Sequence, residues 1–125
     1  MYQKKMQEAI RCPLEYGLGV FGGKWKSRII CVLAEKERLR YSELRREMVN
    51  ITDAVLATTL KELIADEIIH RVQYDEIPPR VEYGLTEKGC SVIPILRTIC
   101  QWAGMYRNED SEISLPHCKR CDYKK

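Results

Sequence analysis

The 125-residue chain has no long apolar run: its longest unbroken one is the six residues Ile29 to Ala34, far short of the ~20 that a membrane-spanning helix needs. It also has no internal repeat, no low-complexity tract and no Gly/Ser linker, so a single domain is expected at this length. No apolar segment follows Lys4 and Lys5 as a secretory leader would require, and a cytoplasmic protein is expected. No Ser/His/Asp set, phosphate-cradling glycine loop or carboxylate pair at useful spacing is present, so hydrolytic chemistry has no residues to rest on. The expectation is therefore not an enzyme, with no cofactor and no assigned metal site.

What is present begins with composition. At 45 % apolar residues the chain is too hydrophobic to be mainly disordered, and a chain of this size buries enough surface for a core without staples. The net charge of +3 hides an asymmetry: residues 1–46 carry eleven Lys/Arg against five Asp/Glu, and residues 47–125 carry ten against thirteen. Such a spread can draw a polyanion to one surface. Six cysteines in a chain without a leader argue against a disulfide framework, because cytosolic thiols are held reduced.

Hydrophobic periodicity then organises the chain. Gly22 and Gly23 break it, and Lys24 to Ala34 reads as a helix with Trp25, Ile29, Val32 and Leu33 on one face. Ser42 is the expected N-cap of a short helix through Met48, with Leu44 and Met48 inward and Arg45 and Arg46 outward. Thr52 is the N-cap of a third helix, with Asp53 at its positive end. Leu56, Leu60, Leu63 and Ile64 form that helix's inner stripe. Its opposite face is Ala54, Thr58, Lys61 and Ala65, flanked by Val55, Ala57 and Glu62, which is small and lightly basic.

After Glu67 the period changes from 3.6 to 2. Ile68 to Tyr74 and Val81 to Leu85 read as two strands of a hairpin, joined by a loop from Asp75 to Arg80 that Pro78 and Pro79 stiffen. Thr86 is expected to cap a last helix running to about Tyr106, bent by Pro94. A polar tail follows from Arg107.

A short helix, a tight turn, a second helix and a hairpin make a winged helix-turn-helix, an α+β fold that is mostly helical. In such a fold the second helix enters the major groove. Ala54 and Ala57 let the backbone approach, Thr58 can donate or accept at a base edge, and Lys61 can reach guanine or phosphate; Thr52 and Val55 are also expected DNA-contact positions of this helix. Lys24, Lys26, Ser42, Arg45 and Arg46 are expected on backbone phosphates, and Arg80 on a phosphate or in the minor groove from the hairpin tip. The competing use of the same fold is protein–protein contact without DNA readout, which would call for a hydrophobic or acidic outer face on the third helix.

Several segments resemble the HxlR-type bacterial transcription regulators, which are MarR-like winged-helix proteins. They are Cys12-Pro13, Gly23-Lys24-Trp25, Tyr41 to Arg46, Leu60 to Leu63, Pro78 to Tyr83 and Leu85 to Gly89. The resemblance spans residues 12 to about 103. It implies a homodimer, joined through N- and C-terminal helices, on a palindromic operator in double-stranded DNA. Residues 1–107 would then form the DNA-binding domain with its dimerisation helices, and 108–125 a polar tail. The chain departs from the pattern at Asp66-Glu67-Ile68, where the family has a glycine in the middle.

The cysteines divide by their neighbours. Cys31, Cys90 and Cys100 are expected to be inert fillers on helices. Cys12 precedes Pro13 at a helix start, where the dipole favours the reactive thiolate. Several members of the family that this chain resembles have Cys-Pro at this place and sense oxidants or electrophiles through that Cys, so the resemblance implies an oxidant or electrophile effector acting at Cys12. His117, Cys118 and Cys121 leave three readings open: a metal site needing a further ligand, resolving thiols for Cys12, or a floppy tail. A thiol oxidoreductase built on Cys118 and Cys121 lacks the βαβ surroundings such enzymes use. Trp25 and Trp102 are expected as core or dimer-interface anchors, and His70 as a structural strand residue.

Overall fold

The computed structural model describes residues 12–106 together with Cys118 and Cys121. The other N- and C-terminal positions, and with them most of the tail assigned to residues 108–125, lie outside the described residues. In chain order the elements are α1 (Pro13–Phe21), α2 (Lys24–Lys36), β1 (Arg38–Leu39), α3 (Tyr41–Met48), α4 (Asp53–Ala65), β2 (Ile69–Tyr74), β3 (Arg80–Leu85), α5 (Glu87–Cys90) and α6 (Ile93–Gly104). The architecture is α+β, as the periodicities imply.

Helix α2 is the hub. It starts at Gly23, whose φ of 87° suits a residue without Cβ, and it packs against α1, α3, α4, α6 and the sheet. Its Ile29, Ile30, Val32 and Leu33 join Leu44, Met48, Ile51, Leu56, Leu60, Leu63, Ile68 and Ile69 in one continuous core, with Val92 and Leu96 closing it from α6. Trp25 is half-buried against this core, with the Lys24 Nζ 4.5 Å and the Arg28 Cζ 5.4 Å from its ring centroid.

The sheet has three antiparallel strands in the order β1-β3-β2. The hairpin runs in register from Ile69 opposite Leu85 to Tyr74 opposite Arg80, so the loop is 75–79 and Arg80 belongs to the strand. Strand β1, which pairs Arg38 with Gly84 and Leu39 with Tyr83, is too short to show a period in the sequence.

Two helix boundaries differ from the sequence expectation. Ser42 does not cap α3: the cap is Arg40, whose backbone N–H donates to Glu43 Oε1 at 2.8 Å, and Ser42 sits inside the first turn. The expected last helix is two helices, α5 and α6, separated at Ser91 and Val92. Thr86 caps only α5, its hydroxyl accepting from the Gly89 N–H at 3.0 Å, while Pro94 lies in the first turn of α6, where its missing N–H costs nothing. Gly89 is obligatory here, because a Cβ would stand 2.2 Å from the Ile68 carbonyl oxygen.

The exit from α4 explains the departure at Asp66-Glu67-Ile68. The Ile68 N–H bonds back to Leu63 O (2.9 Å) and the Glu67 N–H to Ile64 O (3.0 Å), the paired bonds of a Schellman motif. That motif needs a left-handed residue, and Glu67 supplies it with φ 61°. The entry to the wing keeps its geometry with a glutamate where glycine would be relaxed.

Candidate nucleic-acid interface

Helices α3 and α4, separated by Val49 to Thr52, form the helix-turn-helix. Thr52 caps α4 as expected, its hydroxyl accepting from the Val55 N–H at 3.2 Å. The turn is fixed by a clamp the sequence did not reveal. The Tyr41 hydroxyl lies 3.1 Å from both Asp53 O and Asp53 Oδ1, and Arg45 Nε lies 3.2 Å from the same carboxylate oxygen. Burial first, and then the Asp53 hydrogen bond, push the Tyr41 hydroxyl above its ordinary pKa. Asp53 Oδ1 at the helix start is thus shared by Arg45 and Tyr41.

Behind this clamp Leu56, Leu60 and Leu63 are buried, which turns Thr52, Ala54, Val55, Ala57, Thr58 and Lys61 to solvent. Ser42, Arg45 and Arg46 on α3 and Lys24 on α2 are also exposed. Among the described residues neither Arg46 nor Lys61 has an ion-pair partner. The outcome is an exposed α4 face of small side chains that carries the unpaired Lys61, with the unpaired Arg46 exposed on α3.

Two expected phosphate contacts do not fit this picture. Lys26 is 8 % exposed: its ammonium donates to Gly19 O at 2.9 Å and pairs with Glu62 Oε2 at 3.0 Å. An ammonium enclosed in this way is part of the core scaffold. Arg80 is half-buried on the wing. Its guanidinium lies 4.0 Å from the Tyr74 ring centroid, 3.3 Å from Glu76 Oε1 and 3.9 Å from Glu82 Oε2. It is held against the stalk instead of reaching outward from the tip. Tyr74 binds the same network together, accepting from Arg38 Nη1 at 2.7 Å and donating to Glu82 Oε1 at 3.0 Å.

The thiols also separate. Cys12 is exposed and is the N-cap of α1, directly before Pro13. Cys31 is half-buried, and burial first, with Cys100, Cys121 and Cys118 adding to it, pushes its thiol up to about 12. The Cys100 thiol is also raised, by burial first and then by Cys121 and Cys118. The two tail cysteines therefore neighbour α2 and α6. Cys90, expected to be a buried filler, is exposed because α5 is a single short turn with only Gly89 inward. Among the described residues no group of three or more His, Cys, Asp or Glu is arranged to hold a metal ion. No helix of these residues is long and apolar enough to cross a membrane.

Elsewhere, α1 exposes Leu14 and Leu18, and α6 exposes Ile95, Ile99 and Trp102, with Met105 and Tyr106 exposed just beyond its end. Trp102, 64 % exposed and 5.6 Å from the Tyr106 ring centroid, is not in the core of this chain. His70 is a half-buried strand residue whose ring lies against Gly84.

Comparison with known proteins settles the lineage. The sequence profile of the HxlR-like helix-turn-helix family matches residues 20–111. The chain belongs to the HxlR-like family. These are winged-helix transcription regulators, a non-enzymatic class. An HTH-type transcriptional regulator of Methanothermobacter thermautotrophicus is 50 % identical over 95 residues, covering 76 % of this chain and 72 % of that protein. One of Halalkalibacterium halodurans is 41 % identical over 107 residues, covering 86 % and 95 %. Among solved structures, the redox regulator HypR in its oxidised form superposes with a TM-score of 0.72 at 40 % identity, covering 78 % of this HxlR-like chain and 99 % of that one. The reduced form of the transcriptional regulator YodB from Bacillus subtilis gives 0.70 at 32 %, covering 82 % and 100 %.

Proposed function

We propose that this HxlR-like regulator is a cytoplasmic homodimer that reads a palindromic site in double-stranded DNA. Helix α4 enters the major groove, and residues 1–107 form the binding unit. The observation that carries the reading is the outer face of α4. Ala54, Val55, Ala57, Thr58 and Lys61 are all exposed, a set small enough for backbone approach and able to meet thymine methyls and base-edge acceptors. Arg46 stands beside it for phosphate. A face serving protein contact alone would be fully apolar or acidic, and this one sets Thr58 and Lys61 among its small side chains. The apolar residues left bare on α1 and α6 form the surface that the second copy covers, since exposed apolar patches of this kind mark interfaces. A two-fold dimer then presents two identical α4 helices, about one helical turn of DNA apart or a multiple of it.

Thiol control at Cys12 belongs to the same proposal. Its exposed N-cap position supports it, as does the likeness to a protein described as a redox regulator. An oxidant or electrophile that modified Cys12 would act on a helix with bare apolar residues, and a shift there changes the spacing of the two α4 faces.

Selection of bound fragments from genomic DNA, followed by duplex titration, is the test. Lys61→Ala should relax base preference, whereas Arg46→Ala should weaken all sequences alike. Duplex affinity too weak to measure at ~50 mM salt, where electrostatic binding is strongest, would refute the reading.

A further inference from the structure

Two lysines on different elements join the same pair of helices. Lys26, on α2, donates to Gly19 O of α1 at 2.9 Å and pairs with Glu62 of α4 at 3.0 Å. Lys88, on α5, donates to the Tyr16 hydroxyl of α1 at 2.9 Å and to the carbonyl of Asp66, the C-cap of α4, at 2.9 Å. Tyr16 and Gly19 are three residues apart on α1, and Glu62 and Asp66 four apart at the end of α4, so each pair shares one helix face. The bonds are charge-assisted, which makes them short and directional. On a 100° wheel Leu14 and Leu18 fall on the side of α1 away from Tyr16 and Gly19.

We infer that Lys26 and Lys88 are positioning residues that lock α1 to the C-terminal half of α4, so that the placement of the recognition helix is set from α1. The inference rests on the reading of α4 as the DNA-reading helix. A cation between two acceptors resists both sliding and rotation of one helix past the other. Two cations one helical turn apart remove the remaining pivot. The Cys12 end of α1 and the reading face of α4 thereby move as one body, and the separation of two α4 helices in a dimer follows the α1 helices.

The test uses the full chain with Glu62→Ala and Lys88→Met, each of which cuts one bridge at a side chain that is at least partly exposed, and with Tyr16→Phe, which removes only the hydroxyl. Wild type should bind operators at one half-site spacing and lose at least about tenfold in affinity when the half-sites move by one base pair. In Glu62→Ala and Lys88→Met that discrimination should fall to about threefold or less, with a smaller effect in Tyr16→Phe. Amide exchange of α1 and of the last turn of α4 should quicken in both variants, with α3 and the wing unchanged. Faster exchange with unaltered spacing discrimination would make the bridges merely structural and overturn the inference. Unaltered exchange would overturn it equally. Wild type that binds no duplex at any spacing would refute the DNA reading, and the exchange data would still decide whether the lysines hold α1 to α4.

Discussion

Replacing Lys26 by Met separates a core cation from a DNA contact. The thioether chain fills the space of the lysine stem, so the loss is confined to the ammonium and its bonds to Gly19 and Glu62. Removing one partner of a fully buried pair costs about 3–5 kcal/mol. Here the side chain of Lys26 is 10 % exposed but that of Glu62 is 28 % exposed, and the orphaned carboxylate regains some water. A loss of about 2 kcal/mol is the consistent figure. For a chain of this length that corresponds to a fall in Tm of roughly 6–12 °C at fixed protein concentration. Leu at position 62 in the same molecule should restore much of the loss, because an apolar pair replaces the stranded charge. Duplex titration across salt supplies the second readout. An enclosed ammonium displaces no condensed counterion, so the log–log slope should match wild type, whereas each lost phosphate contact flattens it by about 0.9. A Tm within about 1 °C of wild type, together with a slope flattened by that amount, would refute the burial argument and return Lys26 to the phosphates.

Glu67→Gly should raise the urea midpoint at constant m, by about 0.5–1 kcal/mol, since a left-handed φ penalises a side chain more than glycine costs in entropy. Trp102→Glu should turn the dimer into a monomer by light scattering, because it places a charge in the middle of the bare α6 stripe; an unchanged mass would mean that α6 is not the interface. Thiol labelling at neutral pH should modify exposed Cys12 well before Cys31, whose thiol is held protonated up to about 12, and Cys31 should react readily only as the pH approaches that value. Diamide or a quinone should weaken duplex binding by wild type and spare Cys12→Ser; equal loss in both, or loss in neither, would make Cys12 structural.

The parts of the fold legible in the sequence are those fixed by neighbours within a turn or two. The stripe of Leu56, Leu60 and Leu63 needs only the helical period, and the Thr52 cap only its own backbone three residues on. The α4 face was legible for the same reason, being what the stripe leaves over. Ser42 was misplaced because the α3 cap comes from Glu43 reaching back to Arg40, and because Tyr41 is anchored to Asp53, which no local pattern reports. For Lys26 the missing part was its partner: Ile29, Ile30 and Leu33, at i+3, i+4 and i+7, already put Lys26 on the buried face of α2 and leave Lys24 and Arg28 off it, but Glu62, which takes up its charge, lies on a helix distant in sequence. Arg80 is the same case, decided by Tyr74 across the hairpin and by Glu76 and Glu82. The break before α6 was legible in part, since Pro94 has no N–H for the Cys90 carbonyl, whereas the need for glycine at 89 comes from the Ile68 carbonyl on a distant segment.

These pairings change the meaning of the charge asymmetry. The positive excess of residues 1–46 counted Lys26 and Arg45 as available, yet one is neutralised by Glu62 and the other faces Asp53. Arg38 is engaged with Tyr74, and Arg80 with two carboxylates. Lys24, Arg46 and Lys61 remain as exposed cations of the expected contact set without a carboxylate partner among the described residues. With Lys24 and Arg46 on phosphates, Lys61 on a base edge and two protomers on the operator, the salt slope should be roughly −4. A weak electrostatic contribution leaves more of the discrimination to the fit of Ala54, Ala57 and Thr58 in the groove, where a base mismatch costs about 1–3 kcal/mol. A measured slope nearer −10 would mean that more cations reach phosphate, either exposed ones outside the expected set such as Lys36 and Arg40, or Lys26, Arg45 and Arg80 after leaving their carboxylates. Lys26 cannot do so without giving up its bonds to both α1 and α4, so a steep slope that Lys26→Met left unchanged would assign the extra contacts to the other cations.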